Sequence, residues 1–446
     1  MTAITGNQSA NVSGTKYIDS RCIVDFRPND DWKGEYGFDW YRRGDANENI
    51  SGKMTATYYS NIVGKYTPQD PDYGEGTLNR KIGNIDYLNK LANDEYPMFK
   101  ITGYDRTYLA PYISLYYMSI NQWEGNQTRR LPNAMLYKKD GKYYQQDFCK
   151  SEATIKAIIN AKNIEKIEFT CDKSLTVSPN VLTGIADGKS VKTITIRHNY
   201  AFSEGHQSIK AFAYHKDGFT ITFAGQINVV KCEPKTVDIC FVNVQIKIKK
   251  SISLGIPDNN FSDTQQKNLK RFFSQAHIIP NITTKSLSVE QEDIADHLTT
   301  KFITEDDEFF GKRRNVVLKY NSVNETIGSK LEQLFNKQYP SLTKSYKIFF
   351  IGEHGMRSSK GRPVYLGGHA NGIPSKGLVI YKDPNESVVC HEILHCYGLY
   401  HSFSNNSKHT FEKFKTSNIM DYSTDTISLW RWQWNVIGNA LDVKKV

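Results

Sequence analysis

The segment from His391 to His401 reads HEILHCYGLYH and contains the pattern H-E-x-x-H-x-x-G-x-x-H. Histidines four positions apart lie one turn apart on one helix face, so His391 and His395 can offer ring nitrogens to the same ion. Gly398 can adopt the left-handed conformation that ends a helix and turns the chain toward a third ligand, His401. Three histidine ligands that leave a fourth position for water are typical of catalytic zinc sites. The segment therefore predicts a zinc centre.

Glu392 directly follows the first predicted ligand, which places its carboxylate beside the metal and not on it. Zinc lowers the pKa of a bound water to about 7, so a neighbouring glutamate can take its proton at neutral pH. The resulting hydroxide can attack a carbonyl that the same ion polarises. We therefore predict that Glu392 is a general base. The alternative is a buried helix with incidental histidines, but a pattern of several fixed residue types argues against it.

The residues around this pattern predict the helix that carries it. Asp383, Pro384 and Glu386 are suited to the N-cap, first and third positions of a helix, where they form a capping box. The apolar residues that follow provide a face for burial: Val388, Val389, Ile393 and Leu394. With Gly398 as the stop signal, these features predict a helix of roughly 14 residues.

A second segment, Asn418–Ser423, reads NIMDYS. Together with the zinc pattern it resembles the metzincin clan of metallopeptidases, in which a methionine turn forms a hydrophobic floor beneath the metal. The wording of this segment and of Gly398–Phe403, GLYHSF, is closest to the pappalysin family. The resemblance implies that Met420 is the floor. It also implies that Tyr422 lies near the metal, as a weak extra ligand or as a donor to the tetrahedral intermediate.

The remainder of the C-terminal region has the pattern of an α/β fold. Alternation from Phe241 to Lys249 predicts a half-buried strand, and two further strands are predicted at Tyr346–Ile351 and Gly377–Tyr381. Two helices are predicted to open at capping boxes, Ser262 with Gln265 and Ser322 with Glu325; the apolar face of the second comprises Ile327, Leu331, Leu334 and Phe335. This order predicts a sheet backed by helices over residues 236–446, as metzincin catalytic domains have.

The glycine-rich segment Tyr365–Gly372 lies between the last two predicted strands. An extended glycine-rich segment at a sheet edge would let a substrate peptide add as another strand above the zinc, whereas the alternative is a flexible surface loop. His354 and His369 are near in sequence but lack ligand spacing, so we interpret them as ordinary polar residues.

Two further domains are predicted upstream, so the chain is expected to be multidomain. Residues 151–235 contain alternating runs separated by Asp-Gly turns, which predict an immunoglobulin-like β-sandwich. Residues 1–150 contain short apolar runs between Gly, Pro and Asn clusters, which predict a β-rich N-terminal domain with a docking or targeting role.

The segment Gly34–Trp40, GEYGFDW, with the preceding run from Val24 to Pro28, resembles the leading region of some bacterial type VI secretion cargo proteins. This resemblance implies that the N-terminal domains dock the chain to a secretion apparatus. The alternative is that the aromatic residues form a strand and a core.

Composition and charge argue against a nucleic-acid-binding protein, a disulfide scaffold and a membrane-spanning protein. The net charge is +10, but the basic residues are dispersed and no nucleic-acid motif accompanies them. Seven scattered cysteines favour buried free thiols over a disulfide scaffold, although Cys232 and Cys240 could pair. No membrane span is expected, and no basic segment followed by an apolar one opens the sequence. We therefore expect cytoplasmic synthesis without a classical signal peptide. Three alternatives follow: a leader was removed, the protein acts in the cytoplasm, or it is exported by a leaderless route.

The sequence thus favours a zinc-dependent endopeptidase that acts on protein or peptide substrates. The alternative function is a secretion-apparatus or surface-binding protein in which the zinc domain is catalytically minor. The presence of Glu392 favours the enzyme, because a retired site has no need of a carboxylate at that position.

Overall fold

The structure is a computed structural model of the 446-residue chain. It describes residues 20–42, 59–67, 78–79, 84–101, 104, 107–117, 136–139, 142–145, 148–247, 262–299, 317–319, 325–359, 362–382, 387–423, 426–440 and 444–445. The protein is rich in β-structure and contains several sheets, as expected for a multidomain chain. Within the described residues, every helix is too short or too polar to cross a membrane.

The elements are numbered in chain order. The N-terminal region contains β1 (Arg21–Pro28), β2 (Gly37–Asp39), α1 (Tyr59–Ile62), β3 (Lys65–Tyr66), β4 (Leu78–Asn79), α2 (Asn84–Glu95), β5 (Met98–Lys100), β6 (Thr107–Leu109), β7 (Tyr112–Ser114), β8 (Leu136–Lys139) and β9 (Lys142–Gln145). The middle region contains β10 (Glu152–Lys162), β11 (Ile164–Thr170), β12 (Leu175–Ser178), β13 (Val181–Thr183), β14 (Gly188–His198), β15 (His206–His215) and β16 (Ile221–Val230).

The C-terminal region holds the remaining elements. They are β17 (Lys235–Lys247), α3 (Asp263–Gln275), β18 (Ile278–Glu290), β19 (Leu298–Thr299), β20 (Val317–Lys319), α4 (Ile327–Gln338), β21 (Tyr346–Ile351), β22 (His354–Ser359), β23 (Arg362–Leu366), β24 (Gly368–Ala370), β25 (Gly377–Ile380), α5 (Val388–Cys396), α6 (Arg431–Gly438) and β26 (Lys444–Lys445).

Two sheets share one apolar core in the first half of the protein. The first sheet has the strand order β1-β10-β14-β12, and the second has the order β13-β11-β15-β16-β7-β2. Alternating side chains of both sheets, such as Ile155 and Ile194 from the first and Ile167 and Ile227 from the second, are fully buried between them. This burial of one face of each sheet explains the strict alternation in the sequence.

The boundary predicted at residue 150 does not separate the strands into independent sheets. β1 pairs with β10 along its whole length, from Arg21 opposite Lys162 to Pro28 opposite Ile155. In the second sheet β7 pairs with β16, and β2 pairs with β7. Strands from before residue 150 therefore complete both sheets of the middle region.

The aromatic segment Gly34–Trp40 contributes to this same core. Its residues Gly37–Asp39 form β2, and the side chains of Phe38 and Trp40 are at most 2 % exposed. Their rings pack edge to face with centroids 5.6 Å apart. Gly34–Trp40 thus provides a strand and side chains of the shared core, as the structural interpretation of this segment predicted.

The third sheet belongs to the C-terminal region and has the order β18-β17-β21-β25-β24, with β26 paired to β17. β18, β17, β21 and β25 run parallel, and β24 is an antiparallel strand at the edge. α3 begins at the predicted capping box, in which the Ser262 hydroxyl accepts from the Gln265 amide and the Gln265 side chain accepts from the Ser262 amide. The predicted strands and first helix are therefore confirmed.

The predicted alternation of β17 is confirmed from Val242 to Lys247, where Val242, Val244 and Ile246 are buried and Gln245 and Lys247 are exposed. Cys240 and Phe241, at the start of this stretch, are both buried because they contact apolar cores on opposite faces of the sheet. One helix cap is corrected. α4 is capped by Thr326, whose hydroxyl accepts from the Ser329 amide at 3.1 Å. The predicted cap Ser322 lies outside the described residues.

The N-terminal region also completes the core around the helix that carries the zinc pattern. Tyr59, Leu91 and Tyr96 are at most 4 % exposed and belong to the same apolar cluster as Val389 and Ile393 of α5. The C-terminal region therefore shares its core with side chains from the first hundred residues.

The buried carboxylate of Glu95 joins the N-terminal region to the C-terminal region through polar contacts and ion pairs. Glu95, which is 2 % exposed, lies 2.9 Å from His409 Nε2, 2.5 Å from Lys408 Nζ and 3.5 Å from a guanidinium nitrogen of Arg431. Desolvation acts to raise the pKa of Glu95, but the hydrogen bonds from His409 and Lys408 outweigh it and lower this pKa below its usual value. Removal of this carboxylate would take away the partner of the buried His409 ring and the counter-charge of the partly exposed Lys408 and Arg431.

The contribution of α2 to the C-terminal core can be tested by substitution. Leu91→Ala is expected to lower the free energy of unfolding by roughly 2–4 kcal/mol, because it opens a cavity beside α5. Ile85→Ala on the same helix is the control, since Ile85 is 74 % exposed and its loss should cost less than about 0.5 kcal/mol. Denaturant unfolding of both variants measures the difference. Equal values for the two variants would contradict the shared core.

Candidate metal centre

The helix α5 presents the first two predicted ligands on one face. His391 and His395 lie one turn apart, while Val389, Ile393 and Leu394 are at most 1 % exposed and face the sheet core. The helix extends from Val388 to Cys396, nine residues instead of the roughly fourteen that the sequence predicted. Ser387 precedes it without a side-chain cap, and the predicted cap at residues 383–386 lies outside the described residues.

Gly398 ends the helix as predicted. Its φ of +95° lies in the left-handed region, which a side chain would disfavour. The Gly398 amide donates to the His395 carbonyl at 2.9 Å, and the Leu399 amide donates to the Leu394 carbonyl at 3.1 Å. These bonds satisfy the last carbonyls of the helix and reverse the chain, which brings His401 back toward the helix face.

The three predicted histidines converge at one point. The Nε2 atom of His395 lies 3.2 Å from Nε2 of His391 and 3.1 Å from Nε2 of His401. The donor atoms of the three residues all lie within 4.8 Å of one another, and no other such group occurs among the described residues. A tetrahedral zinc ion with Zn–N bonds of about 2.0–2.1 Å keeps its nitrogen ligands roughly 3.3 Å apart. The donor set therefore fits a zinc ion.

Backbone carbonyls orient two of the rings. Nδ1 of His391 lies 2.8 Å from the Ile419 carbonyl oxygen, and Nδ1 of His395 lies 2.6 Å from the Leu399 carbonyl oxygen. A carbonyl can only accept, so Nδ1 carries the proton in each ring and Nε2 presents a lone pair. Desolvation lowers the pKa of His391 to about 4 and that of His395 to about 3. Two neutral rings whose lone pairs face each other at 3.2 Å are stabilised by a cation between them.

Glu392 lies between the metal ligands and the edge strand. Its Oε2 atom accepts a hydrogen bond of 2.9 Å from the backbone amide of Ala370 in β24. Desolvation raises the pKa of Glu392 to about 7, although the hydrogen bond from the Ala370 amide by itself lowers this pKa. Gly368 of β24 lets α5 approach, because a Cβ there would lie 2.9 Å from the Val388 side chain. The glycine-rich segment thus forms an edge strand that orients the predicted base.

The segment Asn418–Asp421 forms a turn beneath the ligands. Met420 is fully buried in the same apolar cluster as Ile393 and Leu394 of α5. Its amide donates to the Asn418 side-chain oxygen at 2.9 Å, and its carbonyl accepts from the Ser402 amide at 2.9 Å. The same turn supplies the Ile419 carbonyl that orients His391. The turn therefore contributes a hydrogen bond to a ligand in addition to an apolar side chain.

Sequence reasoning missed the residues that hold this turn. The side-chain amides of Asn418 and Gln433 pair at 2.7 and 3.2 Å, and both residues are fully buried. The Asp421 carboxylate accepts from the amides of Phe414, Thr416 and Tyr422, each at 2.8 Å. Asn418 and Asp421 stand within the predicted motif, but no local signal in the sequence marks Gln433 as a partner.

Tyr422 lies beside the third predicted ligand, His401. Its hydroxyl is 3.0 Å from Nε2 of His401, and the residue is 43 % exposed. The ring of Phe403 stacks on the imidazole of His401 with centroids 4.7 Å apart and planes 9° apart. The third ligand is thus flanked by two aromatic side chains.

The other candidate residues do not join the centre. His354 and His369 lie in β22 and β24, outside the three-histidine group. None of the seven cysteines forms a disulfide, and all but Cys171 are buried, as predicted. Burial raises the pKa of Cys390 and of Cys396 to about 12, and neither thiol belongs to the three-histidine group.

Comparisons of the sequence with protein-family models and with curated proteins gave no match. The interpretation of the centre therefore depends on its own residues and geometry. These provide three convergent imidazole nitrogens, two fixed tautomers, one desolvated carboxylate and one hydroxyl at the mouth.

The raised pKa of Glu392 predicts how the metal-free protein responds to pH. The folded state holds the proton up to about pH 7, whereas the unfolded state releases it near pH 4.5. The resulting stability penalty is absent below pH 4.5, grows between these values and is complete above pH 7. Glu392→Gln, which does not titrate, should therefore gain stability relative to the wild type as pH rises, by roughly 1–3 kcal/mol. Unfolding in chelator at several pH values tests this, and a pH-independent difference would contradict it.

Proposed function

We propose that residues 236–446 form a zinc-dependent endopeptidase of the metzincin type, closest to the pappalysin family. The observation that carries this proposal is the convergence of three histidine Nε2 atoms, with Glu392, whose carboxyl group is desolvated, next to His391 on the same helix. A structural zinc site has four protein ligands, whereas three ligands leave a position for a reacting molecule. Hydrolysis also requires a general base, and a neighbouring glutamate that is not a ligand can provide it.

His391, His395 and His401 would hold the zinc ion. When bound, the ion supplies Lewis acidity that polarises a peptide carbonyl and acidifies water. Glu392 accepts the proton of the attacking water and later delivers it to the leaving amine. Its pKa of about 7 in the metal-free centre, caused by desolvation, lets the carboxyl group act in both directions near neutral pH. The Ala370 amide fixes one carboxylate oxygen and so orients the other.

Tyr422 and Met420 have supporting roles in this proposal. The Tyr422 hydroxyl, 3.0 Å from Nε2 of His401, is placed to donate to the oxyanion of the tetrahedral intermediate or to act as a weak ligand. Met420 forms the apolar floor, because its buried side chain packs in the cluster that contains α5. Neither residue replaces Glu392 as the base.

The architecture supports a finer assignment of fold. The third sheet, with four parallel strands, an antiparallel edge strand and α5 packed against β24 and β25, is consistent with a metzincin-like catalytic domain. The first and second sheets are consistent with an immunoglobulin-like sandwich over residues 151–235 that is extended by β1, β2 and β7. We propose both assignments on this arrangement.

The proposed chemistry is tested by metal content and peptide cleavage together. The wild type should bind about one equivalent of zinc. Glu392→Ala should keep that zinc and lose cleavage by at least about 100-fold, because it removes only the general base. His395→Ala is the control that should lose both. The measurements are zinc analysis after dialysis and digestion of a peptide library.

Equal cleavage by the wild type and Glu392→Ala would contradict the mechanism. Zinc binding without any cleavage by the wild type would instead favour the alternative, a binding protein with a catalytically minor zinc domain. These two outcomes differ in the wild-type activity, so one set of digestions separates them.

A further inference from the structure

The side chain of Gln275, the last residue of α3, is fully buried and binds backbone atoms of two other segments. Its Nε2 atom donates to the Gly34 carbonyl at 3.0 Å and to the Ile427 carbonyl at 3.1 Å. Its Oε1 atom accepts from the Leu429 amide at 2.9 Å. A primary amide has two N–H donors, and both are used here. One side chain therefore joins the N-terminal region and the segment before α6 to the end of α3.

Residues 427–429 lie between two apolar cores. The side chain of Ile427 packs against the core shared by the first and second sheets, whereas Leu429 is fully buried in the core that contains α5. Gln275 binds the peptide groups on both sides of Ser428, because it contacts the Ile427 carbonyl and the Leu429 amide. The backbone of Ser428 is thereby fixed relative to both cores.

Ser428 connects this contact to the metal ligands. Its carbonyl accepts from the Ile419 amide at 3.0 Å, and the Ile419 carbonyl lies 2.8 Å from Nδ1 of His391. The Ser428 carbonyl and the Leu429 amide belong to one planar peptide group, so Gln275 binds the same group that supports Ile419. Three successive hydrogen bonds therefore lead from Gln275 to the ring of His391.

Gly34 lets the N-terminal region take part in this contact. Its φ of +87° lies in the left-handed region, and a Cβ at this position would overlap the Ile427 carbonyl oxygen. The guanidinium of Arg271, one turn earlier on α3, donates to the Lys33 carbonyl at 2.7 Å. Two side chains of α3 thus hold the start of the segment Gly34–Trp40, whose aromatic residues lie in the core of the first two sheets.

We propose that Gln275 is a positioning residue of the metal centre. Together with Gly34 it fixes the Ile419 carbonyl, and through that carbonyl the ring of His391. This inference rests on the proposed zinc centre and extends it to the N-terminal region. Partners that orient a histidine ligand typically change metal affinity by about 10- to 100-fold when they are lost.

The two histidines of α5 provide an internal comparison. Without the Gln275 amide, the segment that supports the Ile419 carbonyl would lose two hydrogen bonds, so the plane of the His391 ring would be less well fixed. His395 is oriented instead by the Leu399 carbonyl, in the turn that follows α5. A positioning role therefore affects His391 and spares His395, whereas general destabilisation affects both rings alike.

The variant Gln275→Met keeps the length of the side chain and removes its amide. In nitrogen-edited NMR spectra of the zinc-loaded full chain, the Nδ1–H signal of His391 should shift or broaden while that of His395 stays as in the wild type. The zinc affinity, measured by competition with a chelator, should fall about 10-fold. Asn228→Leu is the matched control, because it removes another fully buried amide, from β16, and should change neither signal nor the zinc affinity.

An unmoved His391 signal, equal changes at His391 and His395, or an unchanged zinc affinity would each overturn the proposal. If Gln275→Met does not fold, Gln275→Glu replaces it, since it keeps the acceptor for the Leu429 amide and should affect His391 in the same direction. If the wild type binds no zinc, the proposed function fails. The same two signals in the metal-free protein then decide the role of Gln275.

Discussion

The hydrogen bonds from the Nδ1 atoms of His391 and His395 to the carbonyls of Ile419 and Leu399 are the constraint on which the metal centre depends. A free imidazole exchanges its proton between two nitrogens and rotates about two torsions. With the Nδ1 proton directed at a carbonyl, the tautomer and the ring plane are both fixed, and Nε2 points at the position shared with His401. The helix brings the two rings near each other, and the two carbonyls direct both Nε2 atoms to one position.

The rest of the structure keeps those two carbonyls in place. The Leu399 carbonyl follows the turn at Gly398, and the Ile419 carbonyl belongs to a turn anchored by the Asn418–Gln433 pair. α6, which carries Gln433, lies beside the N-terminal region, because the Arg431 amide donates to the Asp39 carboxylate at 2.9 Å. Elements from distant parts of the sequence thus hold the carbonyls of Leu399 and Ile419 in place.

The local spacing of His391, His395 and His401 predicted that the three side chains converge, and the structure confirms this convergence. The turn at Met420 was expected from the resemblance to metallopeptidases and not from spacing. The sequence could not predict Gln433 or Ala370 as partners, since both contacts join separate elements through tertiary packing. The pairing of β1 with β10 crosses the boundary placed at residue 150, and local patterns could not predict it because it joins residues more than a hundred positions apart.

We propose that three Nε2 atoms, two of them in rings whose tautomer a backbone carbonyl fixes, hold one zinc ion and leave part of its coordination open. Zinc K-edge X-ray absorption on the zinc-loaded full chain measures this most directly. We predict three imidazole nitrogens at about 2.0–2.1 Å from the zinc ion, with oxygen atoms as the remaining ligands. A first shell that contains sulfur at about 2.3 Å, or fewer than three imidazoles, would contradict it.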